Sequence, residues 1–327
     1  MAEAVIPKVA KALVHDPRAN TLAIQELPVP NRSSSSSDHL LRVHAVALTN
    51  GELSWPEPAT LTHPIPGYEV SGTVVTAPAS SPLQPGTEVY ARTAFDREGN
   101  AREYSIAATA ELSRKPSTLS WEEAATVPLS ALTAWQALFV HGGFAAPAQG
   151  GGQGNAAKRL LVTAASGGVG VFAIQLARLA GVGTIVGTCG PTNVGFVQAL
   201  GADEVLDYRV VTDLSKWEGD KFDLVIDCVG GETLSQAWTC AKDGGIVMGI
   251  AMPPDLRKPA QGVGKNVQAV FFIVEADGKQ LEQVTGLIET GKVRTVFDSA
   301  FPLDEFEAAF AKVHSGHVRG KVVLQLA

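Results

Sequence analysis

The chain has 327 residues, of which 45% are hydrophobic and 18% charged, and its formal net charge is −7. This length fits about two domains with their own cores, and the acidic balance argues against a nucleic-acid partner, which would need a basic surface. No apolar run reaches the roughly 18 residues that span a bilayer, so no membrane partner is expected. The first residues show neither a secretory signal nor a convincing transit peptide, which favours a cytoplasmic protein.

The three cysteines all lie in the second half of the chain, without paired CxxC spacing. Neither a disulfide framework nor a structural zinc lobe is therefore predicted. The seven histidines also lack the paired spacing of metal ligands.

Residues 1–130 are typical of a β-rich domain, because short apolar runs alternate with Pro, Gly and Ser clusters. The polar run Ser33–Ser37 is expected to be a surface loop. A helix is predicted to begin at Trp121, with Ser120 as its N-cap. The strands predicted in this region are Ala12–Val14, Leu40–Val43, Gly72–Val75, Glu88–Ala91 and Glu103–Ala107.

From Arg159 onward, strands alternate with helices, which indicates a doubly wound parallel sheet. The segment Gly142–Lys158 before it is rich in Gly, Ala and Gln and is expected to be a flexible insertion. The strands predicted here are Leu160–Thr163, Thr184–Thr188, Glu204–Leu206, Leu224–Asp227, Ile246–Ile250 and Val270–Val274.

The tail Val293–Ala327 returns to a strand–helix–strand pattern that closes with the strand Lys321–Leu326. This tail could complete the first domain. We therefore predict an α/β protein in which residues 1–130 and 294–327 form the β-rich domain. Residues 131–293 would form a dinucleotide-binding domain of the Rossmann type.

The most informative segment is Ala164-x-x-Gly167-x-x-Gly170, which follows a predicted strand and opens a predicted helix. Small residues at this spacing allow a tight turn and a close approach of the backbone to a pyrophosphate. The helix N-terminus supplies free N–H groups to the anion. The pattern departs from G-x-G-x-x-G, but its strand–turn–helix context makes the prediction of a dinucleotide site specific.

The turn Cys189–Asn193 lies where an acid that binds the adenosine ribose would fall, about 20 residues past the motif. No Asp or Glu stands in it, so nothing opposes a 2′-phosphate, and Thr192 and Asn193 offer donors. NADPH is therefore the expected cofactor. Because the turn also lacks Arg and Lys, the predicted preference over NADH is modest.

With these motifs, the chain resembles the zinc-free quinone oxidoreductases and enoyl reductases of the medium-chain dehydrogenase/reductase superfamily, the zeta-crystallin group. The resemblance extends over almost the whole chain. The segments that carry it are Ile65–Gly72 (IPGYEVSG), Val127–Leu138 (VPLSALTAWQAL), Thr163–Gly170 (TAASGGVG), Leu200–Arg209 (LGADEVLDYR), Ile226–Gly231 (IDCVGG), Phe271–Gly278 (FFIVEADG) and Ser315–Leu324 (SGHVRGKVVL).

The resemblance implies a GroES-like domain beside the Rossmann domain, and it implies a set of cofactor contacts. For the pyrophosphate, these are Ser166, Gly167, Gly168, Val169 and Gly170, with Cys189 and Tyr208 nearer the adenosine. For the nicotinamide and its ribose, they are Thr133, Cys228, Val229, Gly249, Ile250, Ala251, Phe272, Ile273 and Val274, with Arg319 and Lys321 approaching from the tail. From the residues alone, Phe272 could equally be core, Tyr208 a half-buried strand residue and Asp227 a turn cap.

Zinc-dependent members of the superfamily carry cysteine or histidine ligands where Thr49, Tyr68 and Leu129 stand in this chain. None of these three side chains is a zinc ligand of the usual kind, so no catalytic zinc is predicted. Many quinone reductases carry Asn-x-x-Asp where this chain has Thr49 and Glu52. We therefore take Thr49, Glu52 and Tyr68 as catalytic candidates and Trp55 as a wall for the substrate. The alternatives are a surface turn with a solvated Glu52 and a core Tyr68.

The expected activity is NADPH-dependent hydride transfer to a quinone or to an activated C=C bond of an enone, enal or enoyl substrate. The partner is then a small molecule, and assembly as a homodimer is left open. The alternative is a non-catalytic structural or sensor protein that binds a dinucleotide. Turnover of NADPH with a small quinone or enone separates the two hypotheses.

Overall fold

The computed structural model describes residues 6–31, 37–56, 61–147 and 154–326. These divide into two compact units. The first joins the residues up to Leu132 with those from Glu275 onward, and the second runs from Thr133 to Val274. Among the described residues, no helix has the length and apolar character required to cross a membrane.

The first unit contains a two-stranded antiparallel sheet and a seven-stranded, mainly antiparallel sheet. In the larger sheet the strand order is β14-β15-β3-β4-β5-β7, with β6 also paired to β3. The closing strand pairs antiparallel with β3, so the tail is part of this unit. The strands are β1 (Val9–Asp16), β2 (Thr21–Pro28), β3 (Asp38–Leu48), β4 (Glu69–Thr76), β5 (Glu88–Arg92), β6 (Tyr104–Ala108), β7 (Leu112–Arg114), β14 (Phe297–Pro302) and β15 (Lys321–Gln325).

The second unit is built on a six-stranded parallel sheet with the order β10-β9-β8-β11-β12-β13. The direction of strand progression reverses between β8 and β11, which is the switch point where parallel α/β sheets bind ligands. The predicted fold class, a Rossmann sheet with a separate β-rich domain, is confirmed. The strands are β8 (Arg159–Val162), β9 (Thr184–Cys189), β10 (Glu204–Asp207), β11 (Phe222–Asp227), β12 (Ala241–Gly249) and β13 (Gln268–Phe271).

Ser120 and Asp277 each cap the start of an α-helix with their side chains. Ser120 forms a capping box, since its Oγ accepts from the Glu123 N–H and the Glu123 carboxylate accepts from the Ser120 N–H. A π-helical segment, Gln136–His141, follows the second helix. The α-helices are α1 (Trp121–Ala125), α2 (Pro128–Trp135), α3 (Gly168–Leu179), α4 (Val194–Ala199), α5 (Gly231–Trp238), α6 (Gly278–Glu289) and α7 (Phe306–His314).

Helix α6 accounts for the difference between the observed and the predicted domain boundary. The sequence places residues up to 293 in the dinucleotide-binding domain, but α6 packs on β7 of the first unit. The Thr285 hydroxyl lies 2.7 Å from Tyr90 Oη, and Gly278 approaches the Leu112 carbonyl so closely that a Cβ would lie 2.4 Å from it. The first unit therefore resumes at Glu275 rather than at residue 294.

Two segments of the chain were expected to be loops. Ser33–Ser36 lies outside the described residues, as do residues 148–153 of the expected insertion Gly142–Lys158. On the described side of that insertion, Asn155 is fully buried, and its Nδ2 donates to the carbonyls of Ala145 and Ala180. A flexible insertion is therefore the wrong description of this part of the segment.

Candidate dinucleotide site and buried acid–lysine cluster

The predicted pyrophosphate turn lies between β8 and α3. Gly167 is the N-cap of α3 and has extended backbone angles, φ −82 and ψ 177. The next N–H groups, from Gly168 to Gly170, precede the bond from the Val171 N–H to the Gly167 carbonyl at 3.1 Å. The N–H groups of a helix's first turn have no carbonyl partner within the helix, and together with the helix dipole they favour an anion. The geometry fits a dinucleotide pyrophosphate.

The glycines of this turn have different steric roles. A Cβ at Gly170 would lie 2.4 Å from the Ala164 carbonyl oxygen and 2.6 Å from the Ala165 Cα, so Gly170 is required by the protein's own backbone. A Cβ at Gly167 would meet the same oxygen at 3.2 Å, which is tight but not prohibitive. Gly167 therefore leaves room above the turn, whereas Gly170 permits the close packing of turn and helix.

A buried carboxylate organises the turn after β11. Asp227 is fully buried, and its carboxylate accepts hydrogen bonds from Thr163 Oγ1 at 2.8 Å and from the Gly230 N–H at 2.5 Å. Burial raises the pKa of Asp227, while these hydrogen bonds act in the opposite direction. The Thr163 hydroxyl also accepts from the Cys228 N–H at 2.9 Å. Of the alternatives for Asp227, the turn cap is therefore the one observed.

Strand register brings the predicted nicotinamide contacts together. Asp227 pairs with Gly249, and Gly249 pairs with Phe271, so the ends of β11, β12 and β13 lie side by side. The Ile250 N–H donates to the Asp227 carbonyl at 3.0 Å. The residues that follow these strand ends are Cys228, Val229, Ile250, Ala251, Phe272, Ile273 and Val274. Val229 is 51% exposed and Ile273 64% exposed, so apolar side chains face outward at this edge.

Thr133 begins the second unit and is 6% exposed. Phe272 is half-buried and packs on the His141 ring at a centroid distance of 4.6 Å. It is therefore not a plain core residue. The roles of both residues toward the nicotinamide stay predictions.

The predicted adenosine end lies at the same edge of the sheet, beyond β9 and β10. Cys189 is buried, whereas Thr192 is exposed, and the Asn193 side chain donates to Ser166 Oγ at 3.2 Å. Tyr208 is 51% exposed and lies against Gly190, where a Cβ would be 3.0 Å from its hydroxyl. The structure thus brings the predicted residues of this end together.

Two neighbouring residues were missed by the sequence reasoning. Asp207 lies beside Cys189 in the strand register, and its Oδ1 accepts from the Arg209 N–H at 2.9 Å. Arg209 is exposed, and within the described residues its guanidinium forms no ion pair. The segment LGADEVLDYR contains both residues. They could have been found by aligning the ends of consecutive parallel strands.

In the first unit, two buried glutamates, a lysine and a threonine form what we call the acid–lysine cluster. Its members are Thr49, Glu52, Glu69 and Lys321. Lys321 Nζ lies 2.8 Å from Glu69 Oε1 and donates to Thr49 Oγ1, also at 2.8 Å. The other oxygen of Glu69 accepts from the Leu129 N–H at 2.9 Å. Glu69 is fully buried, so an unpaired charge there would be costly and the lysine compensates it. These contacts hold Lys321 inside the cluster, and its predicted approach to the cofactor stays a prediction.

Glu52 completes the cluster, and it is not the solvated residue of a surface turn. Its two oxygens accept from the N–H groups of Thr49 at 3.2 Å and Gly67 at 3.1 Å, and the residue is only 7% exposed. Burial raises the pKa of Glu52 to about 7, although Lys321 and the two N–H groups act to lower it. Glu52 therefore ties two loops together and fixes the backbone at Thr49.

Tyr68 lies in an aromatic group with Phe95, at a ring-centroid distance of 5.2 Å, and Trp55, at 6.0 Å. Tyr68 is 6% exposed, and its role as a donor to a substrate carbonyl stays a prediction beside the core alternative. Trp55 is half-buried. Arg319 is exposed, and its N–H donates to Asp298 at 3.2 Å; its role toward the cofactor stays a prediction.

The three positions where zinc-dependent relatives place ligands hold a hydroxyl, a phenol and an aliphatic side chain. Within the described part of the chain, no group of three or more His, Cys, Asp or Glu side chains is arranged to hold a metal ion.

A parallel sheet with a helix N-terminus and a glycine turn at its switch point defines a dinucleotide-binding protein. Comparison with known proteins then assigns its family. The chain is 48% identical to the probable zinc-binding oxidoreductase, mitochondrial, of Arthroderma benhamiae, with 98% of both chains covered. It is 33% identical to the mitochondrial NAD(P)H oxidoreductase RTN4IP1 of Danio rerio, over 80% of this chain and 71% of that protein.

A model of the zinc-binding dehydrogenase family matches residues 200–324. The quinone oxidoreductase from Coxiella burnetii is a similar solved structure, with a TM-score of 0.80, 25% identity and coverage of 98% of this chain and 100% of that one. The chain belongs to the medium-chain dehydrogenase/reductase family and is an NAD(P)H-dependent oxidoreductase.

The expectation of a cytoplasmic protein is wrong, because the two relatives above are both mitochondrial. The expectation rested on the lack of a recognisable leader in the first residues and on a composition that suits any aqueous compartment, and neither property specifies the compartment.

Proposed function

We propose that this protein is a zinc-independent, NADPH-dependent reductase of quinones or of C=C bonds conjugated to a carbonyl group. The observation that carries the proposal is the chemistry at the three zinc-ligand positions. Thr49, Tyr68 and Leu129 offer no usual zinc ligand, and the hydroxyl of Thr49 contacts a buried ammonium group instead. The likeness to a quinone oxidoreductase supports the same substrate class.

The substrate must fit a site without a strong Lewis acid. When bound, the dinucleotide supplies a hydride. A simple ketone that accepts a hydride becomes an alkoxide, whose localised charge zinc enzymes stabilise with the metal. A quinone or enone instead forms a phenolate or enolate, in which the substrate delocalises the charge. A hydroxyl donor such as Thr49 is then sufficient to stabilise the oxygen.

NADPH is proposed over NADH because the adenosine end offers donors and a cation. Thr192 is exposed, and the Tyr208 hydroxyl and the Arg209 guanidinium follow β10 at the same edge. The carboxylate of Asp207, at the end of β10, accepts the Arg209 N–H. The cation missing from the turn Cys189–Asn193 is therefore supplied by the neighbouring strand.

Assembly as a homodimer is likewise a proposal. Strand β13 is an edge of the six-stranded sheet in the described residues, and its Phe271 is 44% exposed. An exposed edge strand with apolar side chains favours pairing with a second copy. Light scattering after size-exclusion chromatography would show a dimer if this is correct and a monomer if it is not.

A substrate panel tests the proposed function. NADPH oxidation, followed by absorbance, should be rapid with 1,4-benzoquinone and an α,β-unsaturated ketone. It should be negligible with a saturated ketone, and NADP⁺ should not be reduced with ethanol. Chelators should leave the rates unchanged. Activity that depends on one zinc per chain would refute the proposal, whereas cofactor binding without turnover of any substrate would favour a structural or sensor protein.

A further inference from the structure

We propose that Lys321 acts through Thr49, making its hydroxyl a stronger donor to the carbonyl oxygen of the substrate. The inference rests on the proposed function, in which charge develops on that oxygen. Thr49 would be the catalytic residue, and Lys321 a positioning residue that does not touch the substrate.

The direction of the hydrogen bond between these two residues follows from their chemistry. An ammonium group has three N–H donors and no acceptor, while a hydroxyl has one donor and two lone pairs. In the 2.8 Å contact between Lys321 Nζ and Thr49 Oγ1, the lysine must therefore donate. The proton of the Thr49 hydroxyl must point elsewhere.

Nothing within the described residues takes that proton. The Thr49 hydroxyl accepts from Lys321 and has no acceptor of its own among them, although the Thr49 N–H is bonded to Glu52. Thr49 as a residue is half-buried. Its hydroxyl is oriented by the lysine, and the proposal assigns its proton to the carbonyl oxygen of the substrate.

The lysine is held too deep to serve as the donor itself. Lys321 is 7% exposed, and its ammonium group forms an ion pair with Glu69 and donates a hydrogen bond to Thr49. A cation that donates to a hydroxyl polarises the O–H bond, and hydrogen bonds in such a chain strengthen one another, most strongly at low local dielectric. Zinc in related enzymes contacts the substrate oxygen directly. In this proposal the positive charge of Lys321 acts on that oxygen through the intervening hydroxyl of Thr49.

The alternative is that Lys321 only neutralises the buried Glu69. Replacing the lysine alone would confuse the two roles, because it would leave a buried carboxylate unpaired. The test therefore removes both charges together in the double variant Lys321→Met/Glu69→Gln, which we call the charge-free pair. The amide oxygen that Glu69→Gln introduces can still accept the Leu129 N–H. Thr49→Val removes the hydroxyl at nearly constant shape, and Thr49→Ser retains it.

The measurement is a double-mutant cycle on kcat and KM with a quinone at saturating NADPH. We expect kcat to fall about 100-fold in Thr49→Val and about tenfold in the charge-free pair, with little change in KM. In the triple variant, kcat should fall no further than in Thr49→Val alone, because the lysine acts through the hydroxyl that Thr49→Val removes. Thr49→Ser should retain most of the activity. Tyr90→Phe, which loses a buried hydrogen bond to Thr285 in the same unit, controls for reduced stability.

A second readout needs no turnover. The pKa of 4-nitrophenol bound to the enzyme with NADP⁺ can be read from its phenolate absorbance. The phenolate should be favoured by the parent and by Thr49→Ser, less by the charge-free pair and least by Thr49→Val. If the charge-free pair does not fold, Lys321→Arg, which retains the charge but changes the donor geometry, replaces it in both measurements.

The role of Lys321 would be overturned if the losses in kcat were additive in the cycle. It would also be overturned if Thr49→Val kept the parental kcat and the parental pKa of bound 4-nitrophenol. Such a result in an active enzyme leaves the proposed function intact. Failure of the parent to reduce any quinone or enone would instead refute the proposed function itself.

Discussion

At the scale of single residues, Glu52 shows how burial changes the chemistry expected from a sequence. The carboxyl accepts two backbone N–H groups, yet burial raises its pKa from 4.5 to about 7. Between these values the folded protein binds a proton that the unfolded chain has lost, so stability falls as the pH rises. The contribution of Glu52 to the free energy of unfolding is fully present below about pH 4.5 and is lost as the pH rises through about 7.

We predict that Glu52→Gln removes this pH dependence. The parent should lose on the order of 3 kcal/mol of unfolding free energy from this group between pH 4.5 and 7. The variant, which cannot titrate at this position, should show a correspondingly flatter profile, whatever its absolute stability. Melting temperatures of both proteins across this range provide the comparison, and parallel profiles would show that Glu52 titrates normally.

Arg209 carries the prediction about cofactor choice. Its guanidinium is the proposed cation for the 2′-phosphate, so Arg209→Gln should weaken NADPH binding about tenfold, an energy of roughly 1.4 kcal/mol. NADH binding should be nearly unchanged. Lys216→Gln, at an exposed lysine of the same unit, is the matched control. Thermal-shift titrations with both cofactors measure the effect, and equal weakening of NADPH and NADH would assign Arg209 another role.

Residue identities alone could not have revealed the acid–lysine cluster. Thr49 and Glu52 were recognised as site candidates because they occupy informative positions in a loop. Lys321 was assigned to the cofactor by the family resemblance, and nothing in its local sequence shows that a buried Glu69 lies 2.8 Å away. Ion pairs between residues far apart in the sequence depend on strand pairing, which local patterns do not specify.

At the scale of elements, the sequence predicted the position of the pyrophosphate turn. It did not predict how much space each glycine of the turn leaves for a side chain. Both Gly167→Val and Gly170→Val would be expected to abolish binding and spare the fold. The structure separates them, because only at Gly170 does a Cβ fall within 2.6 Å of backbone atoms.

Gly167→Val should therefore fold and lose at least about tenfold in NADPH affinity, since a branched side chain would occupy the anion position. Gly170→Val should also be destabilised, by about 1–3 kcal/mol. Calorimetric titration and thermal melting separate the two effects. Parental NADPH affinity in Gly167→Val would show that the pyrophosphate lies elsewhere.

Elements with strong local signals were predicted well. The parallel strands that end at Asp227 and Cys189 are buried on both faces, so their apolar runs are evident in the sequence. Strand β2 (Thr21–Pro28) was not predicted, because most of its residues are exposed or half-buried. The residues of helix α6 were assigned to the wrong unit, since a local sequence pattern does not tell which sheet a segment packs on.

At the scale of the whole molecule, the chain contains a dinucleotide-binding unit and a second unit whose zinc-ligand positions hold no usual zinc ligands. The cofactor site follows from a fold that many oxidoreductases share, so it does not specify the reaction. The reaction is inferred from Thr49 and from the lysine behind it. The central claim is therefore that hydride is added to a carbon conjugated with the carbonyl group and not to the carbonyl carbon.

The most direct test uses NADPH that carries deuterium at the transferable position, with an α,β-unsaturated ketone as the substrate. The account predicts a saturated ketone with the label on its β-carbon, located by NMR spectroscopy or mass spectrometry. A product with the label on the carbonyl carbon and an intact double bond, formed at a comparable rate, would contradict it.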